Sequence, residues 1–223
     1  MKYRHEMKQV ITGTDALVLR RRLGIVMQRD EHSRAGSYLI SSLYFDNIND
    51  KALMEKINGI NRREKFRLRC YNDDPSLVFL EKKSKINGLC AKQRCVVDSA
   101  QVQRIIADGA RWSPEDGSGL LNELHLKMTT QGLRAKTIVD YKREAFVYPA
   151  GNVRVTLDSE VRTSMHPQEF LDPDRLMLPT RESGIILEIK WDEFLPDVIR
   201  GIVQPGDTRT ESFSKYAVCR VYG

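Results

Sequence analysis

Lys65-Phe66-Arg67-Leu68-Arg69-Cys70-Tyr71 alternates cationic and apolar side chains through Cys70. Successive side chains of an extended chain point to opposite faces. The stretch therefore predicts a strand with Lys65, Arg67 and Arg69 on one side and Phe66, Leu68 and Cys70 on the other. The same sorting works outward in both directions. Arg4, Glu6 and Lys8 share a face, as do Glu81 and Lys83, and then Lys92 and Arg94. Farther on, Arg154, Thr156, Asp158, Glu160 and Arg162 oppose Val153, Val155, Leu157 and Val161; Glu188, Lys190 and Asp192 oppose Ile185, Leu187, Ile189 and Trp191.

Periodicity and turn residues predict strands over 3–11, 38–45, 63–71, 77–83, 89–98, 137–147, 153–162 and 185–192. Helices are predicted over 15–28, 99–107, 119–130 and 211–222, with Thr14 or Asp15 and Ser99 as N-caps. The longest irregular stretch, 166–182, carries three prolines and invites mobility or a binding role. No low-complexity segment, fixed-period repeat or Gly/Ser linker interrupts the chain, which argues for one domain over residues 1–223.

Composition narrows the classes. With 41% hydrophobic residues in 223, the chain can bury a core, which excludes global disorder. No apolar run approaches the roughly 18 residues of a spanning helix, and the first residues lack a secretory pattern, so a soluble cytoplasmic protein is expected. A net charge of +6 favours anionic partners. Cys70, Cys90, Cys95 and Cys219 lack zinc-site spacing and suit a reducing compartment, with Cys70 and Cys95 at packing positions. His5, His32, His125 and His166 are scattered. No nucleic-acid motif or exposed aromatic platform accompanies the basic residues, so nucleic acid is not expected as a partner.

The alternation admits two readings. An antiparallel sheet with water on one face and helices on the other gives the same pattern. The recurrence of a carboxylate beside the cations, as in Glu6 with Lys8 and Glu188 with Lys190, favours the second: about eight strands curled with charged faces inward. Arg and Lys would then grip phosphate oxygens, carboxylates would hold a divalent cation, and helices would cover the apolar outside.

The residues then resemble a known family. Arg4-x-Glu6-x-Lys8, Ser42-Leu43-Tyr44-Phe45-Asp46, Lys65-Phe66-Arg67-Leu68-Arg69-x-Tyr71, Phe79-Leu80-Glu81-Lys82-Lys83 and Lys92-x-Arg94 open the series. Tyr141-Lys142-Arg143-x-Ala145-Phe146, Arg154-Val155-Thr156-Leu157-Asp158, Leu187-Glu188-Ile189-Lys190 and Phe213-Ser214-Lys215-Tyr216 complete it. Together they resemble, in order and over nearly the whole chain, the polyphosphate polymerase (VTC) domain of the triphosphate tunnel metalloenzymes.

The resemblance implies an α+β fold, an antiparallel eight-stranded β-barrel with helices outside. It implies transfer of the ATP γ-phosphoryl group to a growing polyphosphate chain, with Mn2+ or Mg2+ as cofactor. Arg67, Arg69, Lys83 and Lys215 would be catalytic. Lys8, Lys65, Lys92, Arg94, Arg143, Arg154 and Lys190 would bind the phosphates. Glu188 would be the principal metal ligand, with Glu6 beside it. Glu6 matches the second glutamate of the superfamily's Glu-x-Glu-x-Lys signature, but Arg4 replaces the first. That departure leans toward a more basic, polyphosphate-handling tunnel.

The alternatives are a triphosphatase or nucleoside triphosphate hydrolase of the same superfamily, and a non-catalytic polyphosphate sensor; Glu188 and Lys215 argue against the sensor. The chain shows no membrane segment of its own, so the product stays in the cytoplasm or passes to a separate membrane partner subunit. Several residues carry a plainer reading too. Lys65 suits the tunnel mouth or solvent equally, and Lys82, of opposite parity to Lys83, belongs outside. Asp158 and Glu160 suit a metal or pairing with Arg154 or Arg162. Glu81 suits a metal or pairing with Lys83 or Arg69. Arg20-Arg21-Arg22 reads as a solvated helix face, or as a dock for polyphosphate or an acidic partner.

Overall fold

The computed structural model describes residues 4–33, 36–114, 119–181, 184–204 and 213–222. In chain order these form β1 (His5–Ile11), α1 (Gly13–Val26), β2 (Gln28–Arg29), β3 (Tyr38–Asp46), α2 (Lys51–Ile57), β4 (Arg62–Tyr71), β5 (Val78–Ile86) and β6 (Leu89–Val97). There follow α3 (Ser99–Asp108), α4 (Gly119–Gln131), β7 (Arg134–Tyr148), β8 (Val153–Ser164), β9 (Leu178–Pro179), β10 (Ile185–Trp191), α5 (Asp197–Val203) and α6 (Lys215–Cys219).

All the strands belong to one antiparallel sheet whose main path runs β1-β10-β8-β7-β3-β4-β5-β6, with β2 and β9 as short additions on β7 and β8. The sheet curls until its edges touch. Arg4 and Cys90 form an isolated bridge, with Arg4 N donating to Cys90 O at 3.2 Å and Cys90 N to Arg4 O at 3.4 Å. The expected closed eight-stranded barrel is therefore met only in part. One bridge, from Arg4 just before β1 to Cys90 near the start of β6, stands where a closed barrel carries a ladder.

The parity pattern decides what lies on each side. Phe66, Leu68 and Cys70 of β4 point away from the lumen and pack with Leu43, Leu80 and Ile138 beneath α3 and α4, which supply Val102, Ile105, Leu121, Leu124 and Met128. Truncating Leu68, which is fully buried, to Ala costs about 3 kcal/mol on the usual scale for core leucines. On the other flank Ala16, Leu19 and Leu23 of α1 and Ile199 and Val203 of α5 cover Val155, Leu157, Leu187 and Ile189. The cysteines are free; Cys70 is buried in the core, and burial pushes its thiol up to about 12.

Several boundaries differ from expectation, each for a local reason. Helix α1 is capped by Thr12, which exchanges hydrogen bonds with Asp15 in a capping box, and α3 by Asp98 with Gln101, each one to three residues before the expected caps. Helix α2 has no fully buried residue; Leu53 packs partly against the core, and Asp46 holds the first turn, its carboxylate accepting from Ala52 N at 2.8 Å and Leu53 N at 3.1 Å. The loop before β10 is pinned rather than free in its described part. Arg175 is buried, donating to Asp140 Oδ2 and Asp73 Oδ1, each at 2.7 Å, and to Ser41 Oγ at 2.8 Å. Of the last expected helix, Lys215–Cys219 is helical; Glu211 and Ser212 lie outside the described residues. Among the described residues no helix is long and apolar enough to cross a membrane.

Candidate functional site

The inner face of the curled sheet encloses a cavity of about 750 Å³. It brings together all thirteen residues singled out by sequence: Glu6, Lys8, Lys65, Arg67, Arg69, Lys83, Lys92, Arg94, Arg143, Arg154, Glu188, Lys190 and Lys215. Among the described residues its lining holds fifteen Lys and Arg against three Glu, an excess larger than the net charge of the whole chain. The inner face is not ionic throughout. Ile40, Val139 and Ile186 share its parity and pack against Tyr216 and Cys219 of α6, so the C-terminal helix fills part of the lumen with apolar side chains.

Two carboxylates face each other diagonally on β1 and β10, where Lys8 is in register with Glu188 and Glu6 with Lys190. Glu188 lies 2.6 Å from Lys190 Nζ and 3.4 Å from Arg143. Glu6 lies 2.6 Å from Lys83 and 3.1 Å from Lys8. Burial raises the Glu6 pKa, but Lys8, Lys83 and Lys190 outweigh burial and the repulsion of Glu188, holding it at about 2. Glu188 is likewise driven well below the carboxylate range: burial opposes ionisation, and Lys190, Lys8 and Arg143 overcome it. Both are therefore anions at neutral pH. The cations are less well served. Lys83 is lowered by burial and by Lys8, in spite of Glu6, and burial brings Lys65 down to about 8, with no carboxylate within ion-pair distance of it among the described residues. Around Glu6 the cations Lys8, Lys83 and Lys190 outnumber its one acidic neighbour, Glu188.

A second group anchors the forks. Arg67 grips Glu81 through Nε at 2.9 Å and Nη2 at 2.7 Å, and Glu81 also pairs with Lys92. Arg69 donates to Ser42 Oγ at 3.2 Å and Tyr141 Oη at 3.0 Å. Glu81 thus pairs with Arg67 and Lys92, with Arg69 at 3.9 Å, and not with Lys83, which is drawn to Glu6. Asp158 is fully buried and takes a two-point grip from Arg143 at 2.6 and 2.7 Å plus Lys215 at 2.5 Å, rather than pairing with Arg154 or Arg162. Arg154 turns to Asp30 at 2.7 Å, and Arg162 to Asp140 at 3.7 Å. Glu160 leaves the lumen altogether. It sits at φ +52° beside the bulge between β7 and β8, which breaks the alternation and turns it to Lys142 outside. Lys82 lies outside as expected, with Glu64 at 2.9 Å and Glu123. On α1, Arg20 pairs with Glu144 at 2.7 Å while Arg21 and Arg22 are exposed.

A model of the VTC domain family matches residues 3–222. The chain belongs to the VTC domain family. The same sheet occurs in a proposed adenylate cyclase (bh2851) of Bacillus halodurans, with TM-score 0.53 at 13% identity over 85% of this chain and 80% of that one. It also occurs in the PH1012 protein of Pyrococcus horikoshii OT3, with TM-score 0.52 at 13% identity over 96% and 98%. At that identity the likeness is one of fold. No curated protein matches the chain.

In this VTC domain the aromatic residues are what sequence reasoning missed. Tyr44, Tyr141 and Tyr38 line the cavity and hold Arg67, Arg69 and Arg154 through their hydroxyls at 2.9, 3.0 and 3.0 Å. Parity was the available signal: Tyr38 and Tyr44 share a face with Ser42, and Tyr141 with Arg143. Tyr44 is buried, which raises a phenol, yet Arg67, Lys65 and Arg69 pull it down to about 7. Arg63 and Lys85, register partners on β4 and β5, extend the cationic lining beyond Lys65 and Lys83.

Proposed function

We propose that this VTC domain is an ATP-dependent polyphosphate polymerase. The observation that carries the reading is the cavity inside the curled sheet, whose cations so outnumber the carboxylates of its lining; a linear polyanion is a ligand that offsets such repulsion. Arg67 and Arg69 present forks already oriented by Glu81, Ser42 and Tyr141, so binding a phosphate costs little side-chain reorganisation.

In the reaction, a terminal phosphate oxygen of the chain attacks the γ-phosphorus of ATP. The new P–O bond lengthens the chain by one unit, and the bond from the γ-phosphorus to the β–γ bridging oxygen breaks. ADP leaves with the electron pair, and charge balances without a proton. The protein's part is to hold donor and acceptor in line and to neutralise developing charge. Glu6 and Glu188 are hard, ionised oxygen donors in the same lumen. Among the described residues no group of three acidic, His or Cys side chains could cage a metal, so a Mg2+ or Mn2+ ion here would need substrate oxygens and water to complete its shell. Such an ion, held by Glu188 and Glu6, would supply further charge neutralisation on the phosphates.

A specific observation favours transfer over hydrolysis. Glu6, Glu81, Asp158 and Glu188 are all engaged by cations, which leaves none of them free to take a proton from water, and the phosphate acceptor needs no base because it is already an anion. A metal-bound water remains the competing acceptor, and the products formed decide between the two. Incubation with ATP and Mn2+, followed by sizing of the products, tests the reading: long chains support it, and free phosphate without chains makes the protein a hydrolase.

A further inference from the structure

Arg69 stands on β4, but the side chains that orient it belong to two other strands. Ser42 of β3 accepts from its Nε at 3.2 Å, and Tyr141 of β7 accepts from its Nη2 at 3.0 Å. The aim of this fork therefore depends on how three neighbouring strands, β7, β3 and β4, lie against one another.

The same three strands are tied together on the opposite face of the sheet. Ser41 and Asp140 are register partners on β3 and β7, each one residue before Ser42 and Tyr141, so alternation turns them outward. Neither they nor Asp73 and Arg175 line the cavity. Arg175 reaches in from the segment before β9 and sets its Nη2 between Ser41 Oγ at 2.8 Å, Asp140 Oδ2 at 2.7 Å and Asp73 Oδ1 at 2.7 Å. Asp73 belongs to the turn that follows β4, and its Oδ1 also accepts from Ser41 Oγ at 2.8 Å. That turn is left-handed at both Asn72 and Asp73, with φ +52° at each, and Leu39 N on β3 donates to Asn72 Oδ1 at 2.9 Å.

Stability alone is a poor reason for such a cluster. Arg175, Asp140 and Ser41 are buried, and Arg175 Nε and Asp140 Oδ1 have no hydrogen-bond partner among the described residues. Apolar side chains of similar volume commonly stabilise an interior as well as a buried ion pair does. What they lack is direction: a planar guanidinium shared among acceptors on three chain segments permits one arrangement of those segments.

Resting on the polymerase reading, we propose that Arg175 is a positioning residue: from outside the sheet it fixes β3, β4 and β7 so that Ser42 and Tyr141 aim the Arg69 fork into the lumen. Arg175 itself touches no phosphate.

Tripolyphosphate affinity, measured by calorimetry without metal, tests this in pairs of variants. Arg175→Leu weakens binding about threefold or more in the otherwise unaltered chain and in Lys83→Ala, but less than about 1.5-fold in Arg69→Ala, where no fork is left to aim. Ser41→Ala removes the central hydroxyl and leaves both carboxylates paired with Arg175; it follows the same pattern with a loss of about twofold, and it decides the matter where Arg175→Leu does not fold. Equal losses in the Arg69→Ala and Lys83→Ala backgrounds, or full affinity in the single variants, overturn the positioning role and leave the phosphate lumen intact. Failure of the unaltered chain to bind tripolyphosphate overturns the polymerase reading and the role of Arg175 with it.

Discussion

Glu6 on β1 and Lys83 on β5 meet inside the lumen, with Lys83 Nζ 2.6 Å from Glu6 Oε2, although their strands stand near opposite ends of the hydrogen-bonded order. Together with the Arg4–Cys90 bridge, this pair ties the two edges of the sheet across a seam that backbone pairing hardly closes.

The pair has a pH signature. The Glu6 carboxyl is depressed from 4.5 to about 2 in the fold, so its stabilisation is present above pH 4.5 and is lost as pH falls toward 2. Glu6→Gln should therefore lower the melting temperature at pH 6 and converge with the wild type near pH 2. A constant difference across that range would assign the cost to packing instead.

Removing Arg67 takes from buried Glu81 its two-point grip and leaves it Lys92 and a more distant Arg69. Arg67→Ala should cost about 3 kcal/mol in denaturant unfolding, because Glu81 is buried. Adding Glu81→Gln should recover much of the stability and none of the polymer synthesis. Recovery of both would make the pair structural only.

Tyr44 reports on the lumen's charge. In the empty protein one tyrosine should ionise near pH 7, seen in near-ultraviolet tyrosinate absorbance and absent in Tyr44→Phe. Tripolyphosphate cancels the cations that stabilise the phenolate, so its addition should move that titration upward. A downward shift, or none, would place the anion elsewhere.

Glu188→Gln should impair Mn2+-dependent turnover more than tripolyphosphate binding measured without metal, since it removes a ligand oxygen and no phosphate donor. An unchanged Mn2+ titration would move the ligand role to another residue.

Much of this was legible because alternation is a two-state code. Lys65, Arg67 and Arg69 could only share a face, and once Phe66 and Leu68 were covered by helices the cations had to converge. The code failed where the backbone departs from it. The bulge at β7–β8 sent Glu160 outward, which no composition rule signals. Pairing inside the lumen was hidden for another reason: the stagger of the strands, not their order in sequence, decides that Lys83 finds Glu6 and that Asp158 finds Arg143 and Lys215.

The most direct measurement is a crystal structure of the chain with tripolyphosphate. The account predicts an extended anion within the curl of the sheet, its oxygens in reach of Arg67, Arg69 and Lys83. An anion seated on the exposed arginines of α1, with the lumen holding none, would contradict it.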